Sequence, residues 1–301
     1  MSKDKTHGML LVLLAAALWS VSGPLTKLLQ ANGADFLDII SWRYPFGLVA
    51  LGIYRAICHR HSPFLLKRRA FNVTCLAALV ILVVNGVFIL SNFYTTVANA
   101  IALSFTAPIF AAMLGWLLLG EKIRPLHQFA LLLGVAGVCV LAFQRAPAAR
   151  EGIVPSSNVM LGNVLALVSG VTFGAYFVVA RRFALEFGEA INSTLWQFLL
   201  ITSALAPVTV FTGWKGISSC NYYCLLIHGV FCTAAPLLLI NIAGRYLKAH
   251  ESSVVALSEV PFCIFVGMLL VGEYPSLISW AGVVLIVSAT LLVGLKERRE
   301  C

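Results

Sequence analysis

Apolar runs of about 20 residues or more recur from one end of this chain to the other. Each is long enough to cross a hydrocarbon layer about 30 Å thick. They stand near 8 to 30, 35 to 57, 71 to 91, 94 to 119, 125 to 144, 159 to 181, 190 to 212, 222 to 244, 251 to 272 and 275 to 295. In a bilayer, only an element that satisfies all its own backbone hydrogen bonds can span, and for such runs that element is a helix. The expected fold class is therefore an all-α integral membrane protein of ten transmembrane helices. The composition agrees: of 301 residues, 60% are hydrophobic and only 11% charged, against about 25% charged in ordinary soluble domains. No polar interval is long enough for a soluble domain, so function is expected within the helices and short loops. The basic, apolar N-terminus extends too far for a signal peptide and lacks a clear cleavage site, so it reads as a retained first helix.

A net charge of +9 could suggest nucleic acid. The 21 Lys and Arg residues, however, are scattered over short loops rather than gathered on one face, and no nucleic-acid partner is expected. With the N-terminus inside, 16 of them fall on inner segments, four on outer ones and one, Arg43, within a span. The positive-inside rule then puts both termini in the cytoplasm. Eight cysteines include no C-x-x-C and no paired Cys/His spacing, so no metal and no cofactor are expected, with proton coupling left open.

GWLLLGEKIRP at 115 to 125 is echoed by GMLLVGEYPSL at 267 to 277, an offset of 152. At that offset Tyr94, Phe110, Gly115, Leu117, Leu118, Gly120 and Glu121 match Tyr246, Phe262, Gly267, Leu269, Leu270, Gly272 and Glu273. At 154, Trp19 pairs with Phe173, Lys27 with Arg181, Trp42 with Trp196 and Arg43 with Gln197. The expectation is two five-helix repeats, residues 1–147 and 148–301. Since five is odd, the second enters the membrane inverted. Inverted repeats are the architecture of many secondary transporters, which expose one central site alternately to either side.

The chain resembles the EamA-like members of the drug/metabolite transporter superfamily. The resemblance rests on LWSVSGPLTK (18 to 27), similar to that family's Trp-Gly-x-x-x-x-x-x-Lys first helix, on WRYPFGLVAL (42 to 51), on ALSFTAPIFAAMLGWLLLGEKIRP (102 to 125) and on ALSEVPFCIFVGMLLVGE (256 to 273). Ser20 departs from the usual Gly, and Val260 separates Glu259 from Pro261 where Glu-Pro is common. The resemblance implies movement of small metabolites, often export, through a cavity lined mainly by the first, third, fourth, sixth, eighth and ninth helices. It also implies a peripheral second helix, and so a structural or pairing role for Arg43.

Glu259 is the leading site candidate. It sits about eight residues into its span, roughly 12 Å deep at 1.5 Å per residue, where a charge is costly and must face the bundle interior. It is a candidate proton carrier or partner for a cationic substrate. Trp19, Asn85, Asn99, Ser104, Thr106, Tyr176 and Asn241 are the other cavity candidates, offering aromatic faces and directional polar groups in an apolar surround. Glu121 and Glu273 end their helices where the macrodipole disfavours a carboxylate, so they read as gate residues. Glu121 is expected to bond a neighbouring helix start or a basic group such as Lys122 or Arg124.

The expected function is a secondary transporter of small polar or amphipathic metabolites, amino-acid-like compounds favoured, in the bacterial inner membrane. Its partners are then that substrate and the lipid bilayer. An antiporter of phosphorylated or nucleotide-linked metabolites would want several cavity cations, and these are scarce. The metalloprotease and nucleophile-elbow motifs are absent, so an intramembrane enzyme is not expected; neither is an ATP-driven pump, since no P-loop is present.

Overall fold

A computed structural model describes the chain except residues 1–2, 61–63, 96–99, 101–102, 143–157, 213–218, 272–275 and 296–301. Every regular element among the described residues is helical. The first half contains α1 (Lys3–Trp19), α2 (Ser22–Ala31), α3 (Phe36–Cys58), α4 (Arg68–Tyr94), α5 (Ala107–Leu119) and α6 (Pro125–Ala142). The second contains α7 (Val159–Glu186), α8 (Ala190–Thr212), α9 (Ser219–Gly229), a π-helical turn Val230–Ala234, α10 (Ala235–Ala243), α11 (Ala249–Ala256), α12 (Glu259–Val271) and α13 (Leu277–Gly294). Among the described residues seven stretches are long and apolar enough to cross a membrane, and Ala107–Leu119, Pro125–Val140 and Trp280–Gly294 are shorter apolar helices. The boundary expected at 147/148 lies outside the described residues.

The bundle is apolar on the outside. Large aliphatic side chains such as Val49, Ile57, Leu132 and Leu291 are exposed, while the buried core is rich in Ala. In a bilayer the apolar effect does not drive helices together, so association rests on close packing of small residues and on interhelical hydrogen bonds. One row shows how. Gly162, Ala166, Gly170 and Gly174 repeat every fourth residue along α7 and so share one face. A Cβ on Gly170 would lie 2.9 Å from the carbonyl oxygens of Leu103 and Ser104, and one on Gly174 would lie 2.7 Å from that of Ala107. The backbone just before α5 therefore lies directly on α7. Elsewhere α4 packs along α7, α1 against α10, α3 against α8, and α6 against α13.

Four of the expected continuous spans are interrupted within the apolar region. A proline lacks the N–H that would bond the carbonyl four residues earlier, and its ring crowds that carbonyl. Pro261 thus cannot serve Leu257, whose oxygen instead accepts from the Val260 N–H at 3.0 Å. The chain turns at Leu257 and Ser258, and α12 restarts at Glu259. Pro108 stands in the same relation to Ser104, and the helix turns at Phe105 and Thr106, where the Ile109 N–H bonds the Thr106 oxygen at 3.0 Å. Pro236 follows the π turn, in which the Ala235 N–H reaches the Val230 oxygen. A fourth interruption, at Ser20 and Val21, separates α1 from α2.

These contacts predict a contrast between two glycines. Gly174→Val meets backbone on α5 that cannot yield and should cost about 1–3 kcal/mol, the range for overpacking. Gly86→Ala, in α4 with nothing within 4 Å of its Cβ position, should be neutral or slightly stabilising. Unfolding of the two purified variants in detergent distinguishes them.

Candidate functional site: a cavity at the helix breaks

The interrupted helices meet around one cavity that contains about 610 Å³ of space between atoms, counted out to its mouth. Trp19, at the end of α1, and Ser22, at the start of α2, form one wall. Asn85 and Phe88 on α4, Ser104 and Phe105 before α5, and Ser169 and Phe173 on α7 form the next. Cys232 and Thr233 on the π turn, Arg43 on α3 and Glu259 at the first position of α12 complete it. Trp19 and Phe173, both lining the space, stand edge to face with their ring centroids 5.3 Å apart.

Arg43 is 2% exposed. Its Nε and Nη2 both donate to Thr233 Oγ1, at 2.9 and 2.6 Å, and Thr233 passes its own proton to the His228 carbonyl at 2.8 Å. Two features permit that approach. The π turn presents Thr233 toward α3, and Gly229 lets α9 lie against it, since a Cβ there would fall 2.4 Å from the Arg43 carbonyl oxygen. Among the described residues no carboxylate lies within 4.0 Å of the guanidinium. A charge removed from water without a counter-ion is costly, and an anion entering beside it recovers much of that cost.

Glu259 is at the N-terminal end of α12, where the helix dipole favours a carboxylate. This position is a consequence of the break, and it differs from the mid-helix site expected from the spacing. Its side chain has no hydrogen-bond or ion-pair partner among the described residues. The cavity thus holds a cationic and an acidic group that are not paired with one another.

The other candidates divide. Trp19, Asn85, Ser104 and Glu259 line the cavity, and so does Arg43. Thr106 donates to the Leu103 carbonyl at 2.9 Å, at the break itself. Tyr176 and Asn241 lie in a buried network: the Tyr176 hydroxyl points at Gln197 Oε1 and Asn241 Oδ1, both 3.2 Å away, and Asn241 Nδ2 donates to Thr194 Oγ1 at 2.8 Å. Asn99 and Glu273 lie outside the described residues. Ser22, Phe88, Phe105, Ser169, Cys232 and Thr233 are cavity residues that sequence reasoning did not single out; only Phe173 carried a signal, through its pairing with Trp19 across the repeat.

Glu121 is held by two elements. Arg181 Nε donates to its Oε1 at 3.0 Å, and the N–H of Ala249, the first residue of α11, donates to its Oε2 at 3.1 Å. A helix start and a basic group are thus its partners, the basic group being Arg181 in place of Lys122 or Arg124. Arg181 Nη1 also donates to the Gly244 carbonyl at 2.6 Å. One carboxylate ties together the ends of α5, α7 and α10 and the start of α11. It can do so because Gly120, with φ of 65°, turns the chain out of α5 in the left-handed conformation.

Fold and hydropathy together define a multi-pass helical membrane protein. The EamA-like transporter family matches twice, over residues 6–143 and 160–295, and the chain belongs to that family. An uncharacterised transporter of Archaeoglobus fulgidus is 25% identical over 288 residues, covering 95% of this chain and 96% of that protein. A riboflavin transporter of Rhizobium johnstonii is 24% identical over 206 residues, 67% of this chain and 63% of that protein. A solved crystal structure superimposes with a TM-score of 0.74 over 95% of this chain and 96% of the other at 19% identity, which speaks for the fold. The protein is a transporter, not an enzyme.

The two buried networks differ in charge, and a stability ordering follows. Tyr176→Phe removes the one hydroxyl donor that Gln197 Oε1 and Asn241 Oδ1 share and should cost about 1–3 kcal/mol. Thr233→Val, close in shape, strips the acceptor from a buried guanidinium and should cost more. Unfolding of both variants in detergent gives the order.

Proposed function

We propose that this chain is a secondary transporter of small polar or amphipathic metabolites, amino-acid-like compounds foremost, working by alternating access in the bacterial inner membrane, commonly in the direction of export. One observation carries the reading: Arg43 and Glu259 line the same aromatic-walled cavity without pairing with each other. A zwitterion offers a carboxylate to the first and an ammonium to the second. Ring faces at Trp19, Phe88, Phe105 and Phe173 suit its apolar part. Phosphorylated substrates are less well served, because Arg43 is the only Lys or Arg among the described lining residues.

The proposed mechanism uses two five-helix units of opposite orientation, with both termini cytoplasmic. Residues 154 positions apart touch at two places, Trp19 with Phe173 at 5.3 Å and Tyr44 with Phe198 at 5.4 Å. A residue meets its own repeat equivalent only near the axis relating the repeats. That supports a two-fold axis passing beside the cavity, the arrangement from which rocking one unit against the other opens a site to either side. Glu121, with Arg181 and the start of α11, secures the gate at its end of the bundle, and Glu273 is proposed as its counterpart at the other.

The test is uptake into proteoliposomes of labelled amino acids, nucleosides and phosphorylated metabolites, with and without a proton gradient. Saturable amino-acid uptake is expected. Glu259→Gln and Arg43→Gln should each lower kcat/KM by roughly 10- to 100-fold, the weight of one charge-assisted hydrogen bond. Arg43→Lys should not restore it, since a compact ammonium lacks the planar fork that lets a guanidinium bond Thr233 along one edge and meet a carboxylate with its remaining N–H groups. Preferred uptake of phosphorylated compounds, or rates indifferent to both substitutions, contradicts the reading.

A further inference from the structure

At the end of the bundle that carries Glu121, three side chains from two helix starts converge. His127 is the third residue of α6, and His250 and Glu251 are the second and third of α11. They are 4%, 2% and 5% exposed. One potential ligand atom from each lies within 4.8 Å of the other two, and the imidazole centroids are 5.5 Å apart. All four ring nitrogens of the two histidines are buried without a hydrogen-bond partner among the described residues. Buried polar atoms are nearly always satisfied, and each neutral ring carries one lone-pair nitrogen, so these two adjacent rings hold two free lone pairs that a bound metal ion would take up.

We infer that His127, His250 and Glu251 form a divalent transition-metal site, with Zn²⁺ as its natural occupant. Two neutral imidazoles and one carboxylate are a common donor set for zinc, leaving a fourth position for water, and imidazole nitrogen suits borderline metals rather than Mg²⁺ or Ca²⁺. The carboxylate is already oriented. Glu251 Oε2 accepts the Lys248 backbone N–H at 2.9 Å, while Oε1 faces His127 Nε2 at 3.6 Å. A bond that fixes one oxygen and leaves the other for the metal is the usual outer-shell arrangement of such sites. The Lys5 ammonium now lies 2.9 Å from Oε1, on a side chain 22% exposed, so it competes with a cation for that oxygen and can swing out to admit it. A bound ion joins the start of α6 to the start of α11, one residue from the Ala249 N–H that holds Glu121. The site therefore bears on the gate without entering the transport cavity. Cysteine and histidine spacing gave no sign of it because His127 and His250 stand 123 positions apart.

Titration of tag-free, metal-stripped protein in detergent with Zn²⁺ against a chromophoric chelator tests this, with Co²⁺ as a spectroscopic probe. One equivalent is expected to bind, the Co²⁺ form showing the visible bands of a four-coordinate nitrogen and oxygen site. His127→Ala and His250→Ala should each weaken binding at least about tenfold. Lys5→Ala, which removes the competitor and none of the ligands, should tighten it. The Lys5 variant keeps the test decisive if either histidine variant fails to fold. Absence of saturable one-equivalent binding, thiolate bands in the Co²⁺ spectrum, or an affinity unchanged in Lys5→Ala overturns the site.

Discussion

Inside a bilayer every backbone N–H and C=O must find its partner within the protein, and the rest of this structure follows from how the chain meets that demand where its helices are interrupted. Pro108, Pro236 and Pro261 each remove a donor within an apolar helix. The Leu257 carbonyl freed by Pro261 is re-paired with the Val260 N–H, and 3₁₀-like and π-type bonds also stand beside Pro108 and Pro236. They are also shielded by neighbours that come unusually close. Gly170 and Gly174 of α7 let the backbone before α5 lie directly on another helix, so the interruption faces protein and cavity instead of lipid.

The same interruptions position the polar chemistry. Glu259 occupies the first position of a helix instead of the middle of one, Ser104 and Phe105 precede a restart, and Thr233 rides on the π turn to receive Arg43. An uninterrupted helix would carry these side chains at the same spacing but would not place Glu259 at a helix start or Thr233 on a π turn. In the proposed reading, the substrate completes electrostatics that the breaks leave open, and the affinity for it arises from charges the protein itself cannot pair. Transport also needs that pairing to stay incomplete, since a direct Arg43–Glu259 ion pair would close the site without a substrate.

Much of the architecture was legible in hydropathy alone, because a bilayer imposes a length on each apolar run. The family was legible in Trp19, Lys27, the two Gly-Glu ends and Glu259, and the family match over both halves agrees. Less could be read where three dimensions decide. The proline at 261 hinted at a break, but its location at Leu257 and Ser258 depends on which carbonyl loses its donor. Arg43 was expected on a peripheral helix. It reaches the cavity wall because Gly229 and the π turn bring α9 and Thr233 against α3, Thr233 standing 190 positions from Arg43 in sequence. Tyr176 and Asn241 have the composition of ligands, yet they face each other and Gln197, which spacing along separate helices does not reveal.

The central claim is that one cavity holds a cation and an acid left unpaired for a zwitterion. Equilibrium binding to the purified protein of an amino acid, its decarboxylated amine and its deaminated acid tests it most directly. Removal of either charged group should weaken binding by roughly 10- to 100-fold, as expected for losing a charge-assisted hydrogen bond to a buried group. Equal affinity for all three compounds, or stronger binding of the neutral aromatic solute riboflavin, would contradict the account.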